Sequence, residues 1–294
     1  MILQALHDGL LLPFSDYAFM RRALIGCIAL SVGATPIGVF MILRRMSLTG
    51  DAMAHAILPG AAVGYLLSGL SLIAMTIGGL IAGMTVALLS GFITRNTHLK
   101  EDASLAAFYL MSLALGVMII STRGGSVDLI HVLFGTVLAL NNDALVLMIS
   151  IASISVITLS LIYRTLILEC LDPLFLRSVS KSGAWAHYSF IALMVLNLVG
   201  GFHALGTLMV IGIMILPAAA AHFWSRHVSN IIFLSVLFAI GSSVIGLLIS
   251  YHANLPSGPA VILSAGGFYV ISMLIGTENS WRNQYLQFNK KAKA

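Results

Sequence analysis

Long apolar stretches separated by short polar segments run through this chain from end to end. Each stretch is near the length of about 20 residues that an α-helix needs to cross a bilayer. The pattern predicts an all-α, polytopic membrane protein with about eight to nine transmembrane helices, at residues 20–43, 52–69, 72–94, 103–121, 142–164, 187–201, 204–224, 231–251 and 260–277. The segment 126–140 could dip into the bilayer and alter that count.

The polar segments predict how this single transmembrane domain, residues 1–294, is organised. Residues 1–19 mix apolar side chains with Asp8 and Asp16, which favours an amphipathic segment at the membrane interface. The longest polar loop covers 164–186, and a polar tail covers 278–294. Both are expected on the cytoplasmic side.

The basic residues orient the spans. With the C-terminus inside, only Arg21, Arg22 and Arg123 of the 15 basic residues fall on the outer side. This distribution satisfies the positive-inside rule, and the opposite orientation would violate it. We therefore expect a multi-pass membrane protein with a cytoplasmic C-terminus.

Composition agrees with this class. The chain is 59% hydrophobic and 9% charged, whereas soluble domains carry about 25% charged residues. Its net charge of +5 reports which side the loops face and does not indicate nucleic-acid binding. The isolated Cys27 and Cys170 favour neither a disulfide nor a zinc knuckle.

Asp51 opens the predicted span at 52–69, whereas the other nine carboxylates map to loops or to the ends of spans, and His55 follows four residues later. On a helix that spacing puts both side chains on one face. An ionisable pair in a membrane span indicates a functional site, and one oxygen plus one imidazole suits a divalent transition metal. Gly50 before the pair and Pro59-Gly60 after it predict a helix break beside a cavity. The alternative is an Asp–His hydrogen bond that only holds two helices together.

Other histidines are weaker candidates. His131, His203 and His252 map near the outer face, where they could contact a metal on its entry path. A lone histidine at a helix end is more often solvated or capping.

The loop 164–186 contains a helix-start signal, Asp172 as cap with Pro173 at the first helical position. A short amphipathic helix on the cytoplasmic face would be a docking element. The simpler alternative is a long loop without such a role.

Several motifs are absent from the sequence. It has no Gly-x-x-x-x-Gly-Lys-Ser/Thr phosphate loop, so ATP hydrolysis of that type would need another subunit. It has no His-Glu-x-x-His, which weakens an intramembrane zinc protease. No chain of buried acids suggests a proton relay, which weakens an ion-coupled carrier.

The run 44–60 resembles the signature of permeases of the zinc/manganese/iron-type ATP-binding-cassette importers. Blocks at 133–138, 206–221 and 250–260 match in the same order, so the resemblance covers most of the chain. Position 176 is Leu where this family often has Ala, and position 220 is Ala where it usually has Thr.

The resemblance implies a homodimeric permease that is not itself an enzyme, with two cytoplasmic ATPase subunits and an extracytoplasmic metal-binding protein. Its fold would be similar to that of cobalamin and siderophore importers. Asp51 and His55 of each protomer would contact the transported metal at a gate near the dimer axis. No permanently bound cofactor is implied. The family's coupling helix, which docks into the ATPase, matches Asp172, Pro173, Leu174, Phe175, Leu176 and Arg177.

The expected function is therefore ATP-driven import of a divalent metal. Nine histidines favour zinc slightly, with manganese next and iron possible. An ion-coupled secondary carrier working without an ATPase is the principal alternative. An intramembrane metallohydrolase would need a third ligand and a base, and the sequence offers no convincing candidates. A scaffold without transport would leave Asp51 costly and without purpose.

Overall fold

The structure, a computed structural model, describes residues 12–69, 71–97, 101–121, 140–172, 175–176, 182–278 and 280–282. Within these ranges the regular elements are α-helices, and no β-strand occurs there. The helices are α1 Leu12–Asp16, α2 Ala18–Leu43, α3 Ser47–Ala56, α4 Leu58–Ser68, α5 Leu72–Asn96, α6 Glu101–Ser121, α7 Asn142–Leu171, α8 Ser182–Leu205, α9 Thr207–His222, α10 Val228–Ala253 and α11 Ser257–Ile275.

The predicted spans have helical counterparts in the described chain. Helices α2, α5, α7, α8, α10 and α11 are long and apolar enough to cross a membrane, while α9 and the apolar part of α6 are shorter. The predicted span 52–69 is a broken helix, the pair α3–α4. The possible dip at 126–140 falls almost wholly outside the described residues.

The predicted loop at 164–186 is wrong in extent. Helix α7 continues to Leu171, and α8 begins at Ser182, well before the predicted span at 187. Apolar runs mark the part of a helix that lies in lipid, and a helix can continue beyond it into the polar boundary. The connection between α7 and α8 is therefore short.

Helix α2 lies at the centre of the bundle. In its most apolar stretch 72% of residues are buried, against 28% for α5, α7 and α11, whose large apolar side chains point outward. In a membrane protein such outward apolar faces meet lipid. Helix α2 packs against α7, α9 and α10, and α9, α10 and α11 pack against one another.

A second group of helices, α4, α5 and α6, packs together beside this centre. Helix α8 contacts both groups, since it meets α2 and α7 on one side and α3 and α5 on the other. The short helix α3 also contacts α6. The broken helix therefore lies between a buried central group and a more peripheral one.

The ends of the helices define two faces. Val39 near the end of α2 packs with Ala218 and Ala221 at the end of α9 and with Ile231 at the start of α10. We call this side, which also contains the start of α3, the inner end; it is the predicted cytoplasmic side. At the opposite side, Tyr17 before α2 contacts Tyr251 in the last turn of α10, with ring centroids 5.7 Å apart.

Candidate functional site

Helix α3 holds Asp51 and His55 on one face. His55 Nε2 lies 3.9 Å from Asp51 Oδ1, as the four-residue spacing predicts. Helix α3 starts directly after a turn in which Arg45 adopts a left-handed φ of 58°. That turn reverses the chain at the end of α2, so the pair enters the bundle from its inner end.

The pair lies on the open side of α3. The Asp51 side chain is 67% exposed and that of His55 is 28% exposed, while Ala52, Met53 and Ala54 between them are buried. The His55 ring lies 6.2 Å from that of Tyr109 on α6. A loosely paired carboxylate and imidazole can therefore accept a further partner without disrupting the core.

The predicted break lies immediately beyond His55. Helix α3 ends at Ala56, and Ile57 links it to α4, which has Pro59 in its first turn. Proline has no N–H, so Pro59 cannot donate to the carbonyl of His55 four residues earlier. Ser112 on α6 donates its hydroxyl to the carbonyl of Ala56 at 2.9 Å, which stabilises the backbone at the break.

Glycines anchor the far side of the break. The backbones of α4 and α5 approach so closely that a Cβ at Gly60 or Gly78 would overlap the carbonyl of the other. A Cβ at Gly116 on α6 would press against Pro59 in the same way. Small residues allow such contact between membrane helices. Helix α4 is therefore fixed in place, while α3 ends free of that contact.

The described part of one chain does not assemble a complete metal site. Within the described ranges, no group of three or more His, Cys, Asp or Glu side chains could hold a metal ion. Asp51 and His55 supply one oxygen and one nitrogen ligand, whereas transition-metal sites usually have four or more ligands. A complete site needs ligands from elsewhere.

The three outer histidines do not join this pair where the structure describes them. His252 lies in the last turn of α10, with its ring edge-on to Tyr251, at the opposite end of the bundle from the start of α3. His203 belongs to α8, and only its backbone is described. His131 falls outside the described residues. Their part in an entry path stays a prediction.

The predicted coupling segment keeps its capping residue. Asp172 ends α7, and its Oδ1 accepts a hydrogen bond from the Phe175 N–H at 2.9 Å. Phe175 is 55% exposed, whereas Leu176 is buried against the Cα position of Gly183. Pro173, Leu174 and Arg177 lie outside the described residues. The segment thus presents an exposed aromatic ring beside a well-packed leucine.

Sequence reasoning missed a buried polar cluster at the inner end, formed by Arg44, Glu169 and His187. Arg44 Nη2 lies 3.2 Å from Glu169 Oε1 and 2.6 Å from His187 Nδ1. The side chains are only 12%, 14% and 19% exposed. Glu169 lies in the last turn of α7, beyond the predicted span at 142–164, and its side chain is more buried than that of Asp51. Sequence reasoning missed this pairing because Glu169 lies 125 positions after Arg44 in the chain.

These features define a class of protein. A bundle of membrane-length helices that includes a broken helix, with an ionisable pair beside the break, is typical of membrane transporters. The profile of the ABC 3 transport family matches residues 16–276, so this chain belongs to that family. The predicted family and the all-helical membrane fold are thereby confirmed.

Individual relatives agree over nearly the whole length. The chain is 34% identical to the manganese transport system membrane protein MntC of Listeria monocytogenes over 276 residues, 94% of this chain and 95% of that protein. It is 28% identical to the chelated iron transport system membrane protein YfeD of Yersinia pestis, over 89% of this chain and 86% of that protein.

Solved structures agree in fold. The structure of PsaBC from Streptococcus pneumoniae in complex with Fab matches with a TM-score of 0.83 and 30% identity, over 98% of this chain and all of that one. An inward-facing structure of a putative metal-chelate type ABC transporter matches with a TM-score of 0.65 at 16% identity, covering 86% of this chain and 84% of that one, which shows the shared fold alone.

Proposed function

We propose that this chain is the membrane-spanning permease of an ATP-driven importer of divalent transition metal ions, with manganese as the preferred cargo. The observation that carries the proposal is the Asp51–His55 pair, which lies exposed on a membrane helix beside a helix break. An ionisable pair in that position is costly in lipid unless it faces a cavity or another chain.

We propose that a second copy of the chain covers the exposed surface around Asp51 and His55. Leu48 and Asp51 are exposed on α3, and Val63 and Leu67 continue the exposed surface along α4. Symmetric pairing of this surface would bring together two carboxylates and two imidazoles. Four ligands of this kind suit manganese, iron or zinc.

The choice of manganese rests on chemistry and on relatives. Two of the four proposed ligands are hard carboxylates, which manganese accepts well. Relatives named for manganese and for chelated iron match this chain along most of its length. The slight preference for zinc came from the nine histidines, and the described structure does not gather these around Asp51.

Energy would come from two separate cytoplasmic ATPase subunits, because this sequence has no phosphate loop. The connection between α7 and α8, with exposed Phe175, is the proposed docking element. An extracytoplasmic binding protein would deliver the metal at the opposite face. The complex would lie in the bacterial inner membrane with the C-terminus of this chain in the cytoplasm.

In the proposed mechanism, the metal reaches the dimer axis and is held by the carboxylates of Asp51 and the imidazoles of His55. No cofactor remains bound, because the metal is the cargo. Transport needs binding that is weak enough to reverse, and exposed side chains on a short helix can release a ligand as α3 moves. ATP-driven closure of the ATPase subunits would supply that motion.

The test is uptake of radioactive manganese into proteoliposomes that contain the permease and its ATPase subunits. Asp51→Ala and His55→Ala are each expected to abolish ATP-dependent uptake while the complex still assembles. The matched controls are Asp143→Ala and His227→Ala, which remove the same chemistry at exposed helix starts and should leave uptake unchanged. Normal uptake by either site variant contradicts the assignment.

The same preparation separates the proposal from an ion-coupled secondary carrier. A carrier would accumulate manganese on an imposed ion gradient without ATP or ATPase subunits. The proposed importer requires both, and competition with zinc and iron ranks the metals. Because zinc usually binds nitrogen and oxygen ligands more tightly than manganese, the ranking is read from transport rates rather than from binding alone.

A further inference from the structure

The cluster of Arg44, Glu169 and His187 joins three helices at the inner end. Arg44 follows the last residue of α2, Glu169 lies in the last turn of α7, and His187 lies in the second turn of α8. The guanidinium donates to both neighbours through one nitrogen, Nη2, at 3.2 Å to Glu169 and 2.6 Å to His187. Because arginine is a donor only, His187 Nδ1 accepts, which places the proton of a neutral ring on Nε2.

Aromatic rings extend the same junction into the bundle. The Arg44 guanidinium carbon lies 5.2 Å from the centroid of the Phe190 ring on α8. Phe190 meets Phe40 on α2 edge-on at 6.4 Å, and Phe40 meets Tyr163 on α7 at 6.1 Å. The three helices that share the polar cluster therefore also share an aromatic layer. Ionic and aromatic contacts together hold their inner ends in fixed relative positions.

The position of this junction relates two parts of the chain that are far apart in sequence. Helices α7 and α8 are the two arms that flank the proposed docking segment after Asp172. On the other side, Arg44 is followed by the turn at Arg45 and Met46 and then directly by α3. Arg44 therefore connects the ends of α7 and α8 directly to the start of α3.

A small cavity borders the inner half of α3. This cavity of about 30 Å³ lies where the inner half of α3 meets α5, α6 and α8, and its lining includes His187 and the methionines Met46, Met53 and Met194. Methionine side chains adapt readily to changes in shape. The start of α3 is thus tied to the junction through its backbone, and a small cavity borders it on the side of α8.

We propose that Arg44, Glu169 and His187 are positioning residues that couple the ATPase-docking segment to the Asp51–His55 helix. The cluster makes α2, α7 and α8 move as one body at the inner end, so that motion of the docking segment rotates α3. This inference rests on the proposed function of the chain as an ATP-driven permease. It assigns these three residues no contact with the metal.

The alternative is that the cluster only stabilises the fold, and the experiment separates the two. The key variant is Arg44→Gln with Glu169→Gln, which removes both charges together and so leaves no unpaired buried charge. The complex with its ATPase subunits is reconstituted in proteoliposomes, and manganese uptake and ATP hydrolysis are measured in the same sample. A purely structural role would lower both rates together through loss of folded complex.

We expect the double variant to hydrolyse ATP at close to the wild-type rate and to import at least about tenfold less manganese per ATP, a normal size for coupling between sites. Arg44→Lys keeps the charge but loses the planar guanidinium over Phe190. Its ratio of imported manganese to hydrolysed ATP should fall between those of the wild type and the double variant. The matched control is Arg226→Gln with Glu278→Gln. This removes a 2.7 Å ion pair that lies at the same end but outside the cluster, and it should keep the wild-type ratio.

The inference is overturned if the double variant imports as much manganese per ATP as the wild type. It is also overturned if the Arg226→Gln, Glu278→Gln control loses as much manganese import per ATP as the double variant. If the double variant does not assemble, Arg44→Lys decides, because a wild-type ratio in that variant also contradicts coupling. Failure of the proposed function looks different. In that case the wild-type complex itself shows no ATP-dependent uptake.

Discussion

The Asp51–His55 pair and the cluster of Arg44, Glu169 and His187 lie on either side of one turn, yet they differ in almost every physical respect. The Asp51 side chain is 67% exposed and lies 3.9 Å from its imidazole partner. Arg44 is 12% exposed and makes contacts of 3.2 Å and 2.6 Å. Both combine a carboxylate with a histidine, so residue type alone does not separate them.

The difference shows how burial assigns a role to the same chemistry. An exposed, loosely paired carboxylate can exchange its partner for a metal ion at little cost to the fold. A buried ion pair cannot give up a partner without leaving an uncompensated charge in a medium of low dielectric constant. The first arrangement suits a transported ligand, and the second suits a fixed connection.

The largest expected effect tests this contrast directly. Glu169→Ala leaves Arg44 buried without its carboxylate and should lower the free energy of unfolding by about 3–5 kcal/mol. Asp51→Ala removes an exposed side chain and should change it by less than about 0.5 kcal/mol. Denaturant-induced unfolding of the purified permease in detergent measures both values, and similar losses for the two variants would contradict the contrast.

A second effect concerns the fixed side of the helix break. Gly78→Ala forces α4 and α5 apart, because its Cβ would overlap the Gly60 carbonyl, and should cost about 1–3 kcal/mol. Gly91→Ala is the matched control on the same helix, since a Cβ there meets nothing within 4 Å. The same unfolding measurement compares them. Equal stability of the two variants would show that α4 is not anchored at this contact.

A smaller effect should come from the hydrogen bond at the break. Ser112→Ala removes the donor to the Ala56 carbonyl and should cost about 0.6–1 kcal/mol. It should also raise the KM for manganese, because the end of α3 loses its support beside His55. Ser150→Ala is the control, since the Ser150 hydroxyl only bonds a carbonyl of its own helix. An unchanged KM in Ser112→Ala would show that this hydrogen bond contributes to stability but not to manganese binding.

The smallest effect should come from the exposed ion pair of Arg226 and Glu278. Arg226 is 76% exposed, and exposed ion pairs contribute between about 0.2 and 1 kcal/mol. Arg226→Gln should therefore shift the unfolding free energy by no more than this. If Arg226→Gln lowered the unfolding free energy as much as Glu169→Ala, burial would not explain why the two ion pairs differ.

The sequence predicted those features that depend on near neighbours. Asp51 and His55 are four residues apart, so helical geometry alone places them on one face. Pro59 predicted the helix break that comes after His55. The cap at Asp172 was likewise visible, because a capping side chain bonds a backbone group three residues on. Each of these is decided within one or two helical turns.

Features that depend on topology could not be predicted in this way. Arg44 and Glu169 are 125 positions apart, and their contact exists only because α2 and α7 pack side by side. The predicted span at 187–201 lies within α8, but the helix is longer at both ends. Hydropathy detects where a helix lies in lipid, whereas α8 begins at Ser182, in polar sequence that carries the helix toward the inner end.

The glycine contact between α4 and α5 also has a geometric consequence for the movement of the two proposed ligands. If α3 moves as proposed while α4 is held at Gly60, its rotation would centre on the break at Ile57. At 1.5 Å per residue, Asp51 lies about 9 Å along the helix axis from Ile57 and His55 about 3 Å. A rotation about Ile57 would move the carboxylate about three times as far as the imidazole. In the proposed mechanism, such a rotation would separate the metal from the Asp51 carboxylate more than from the His55 imidazole.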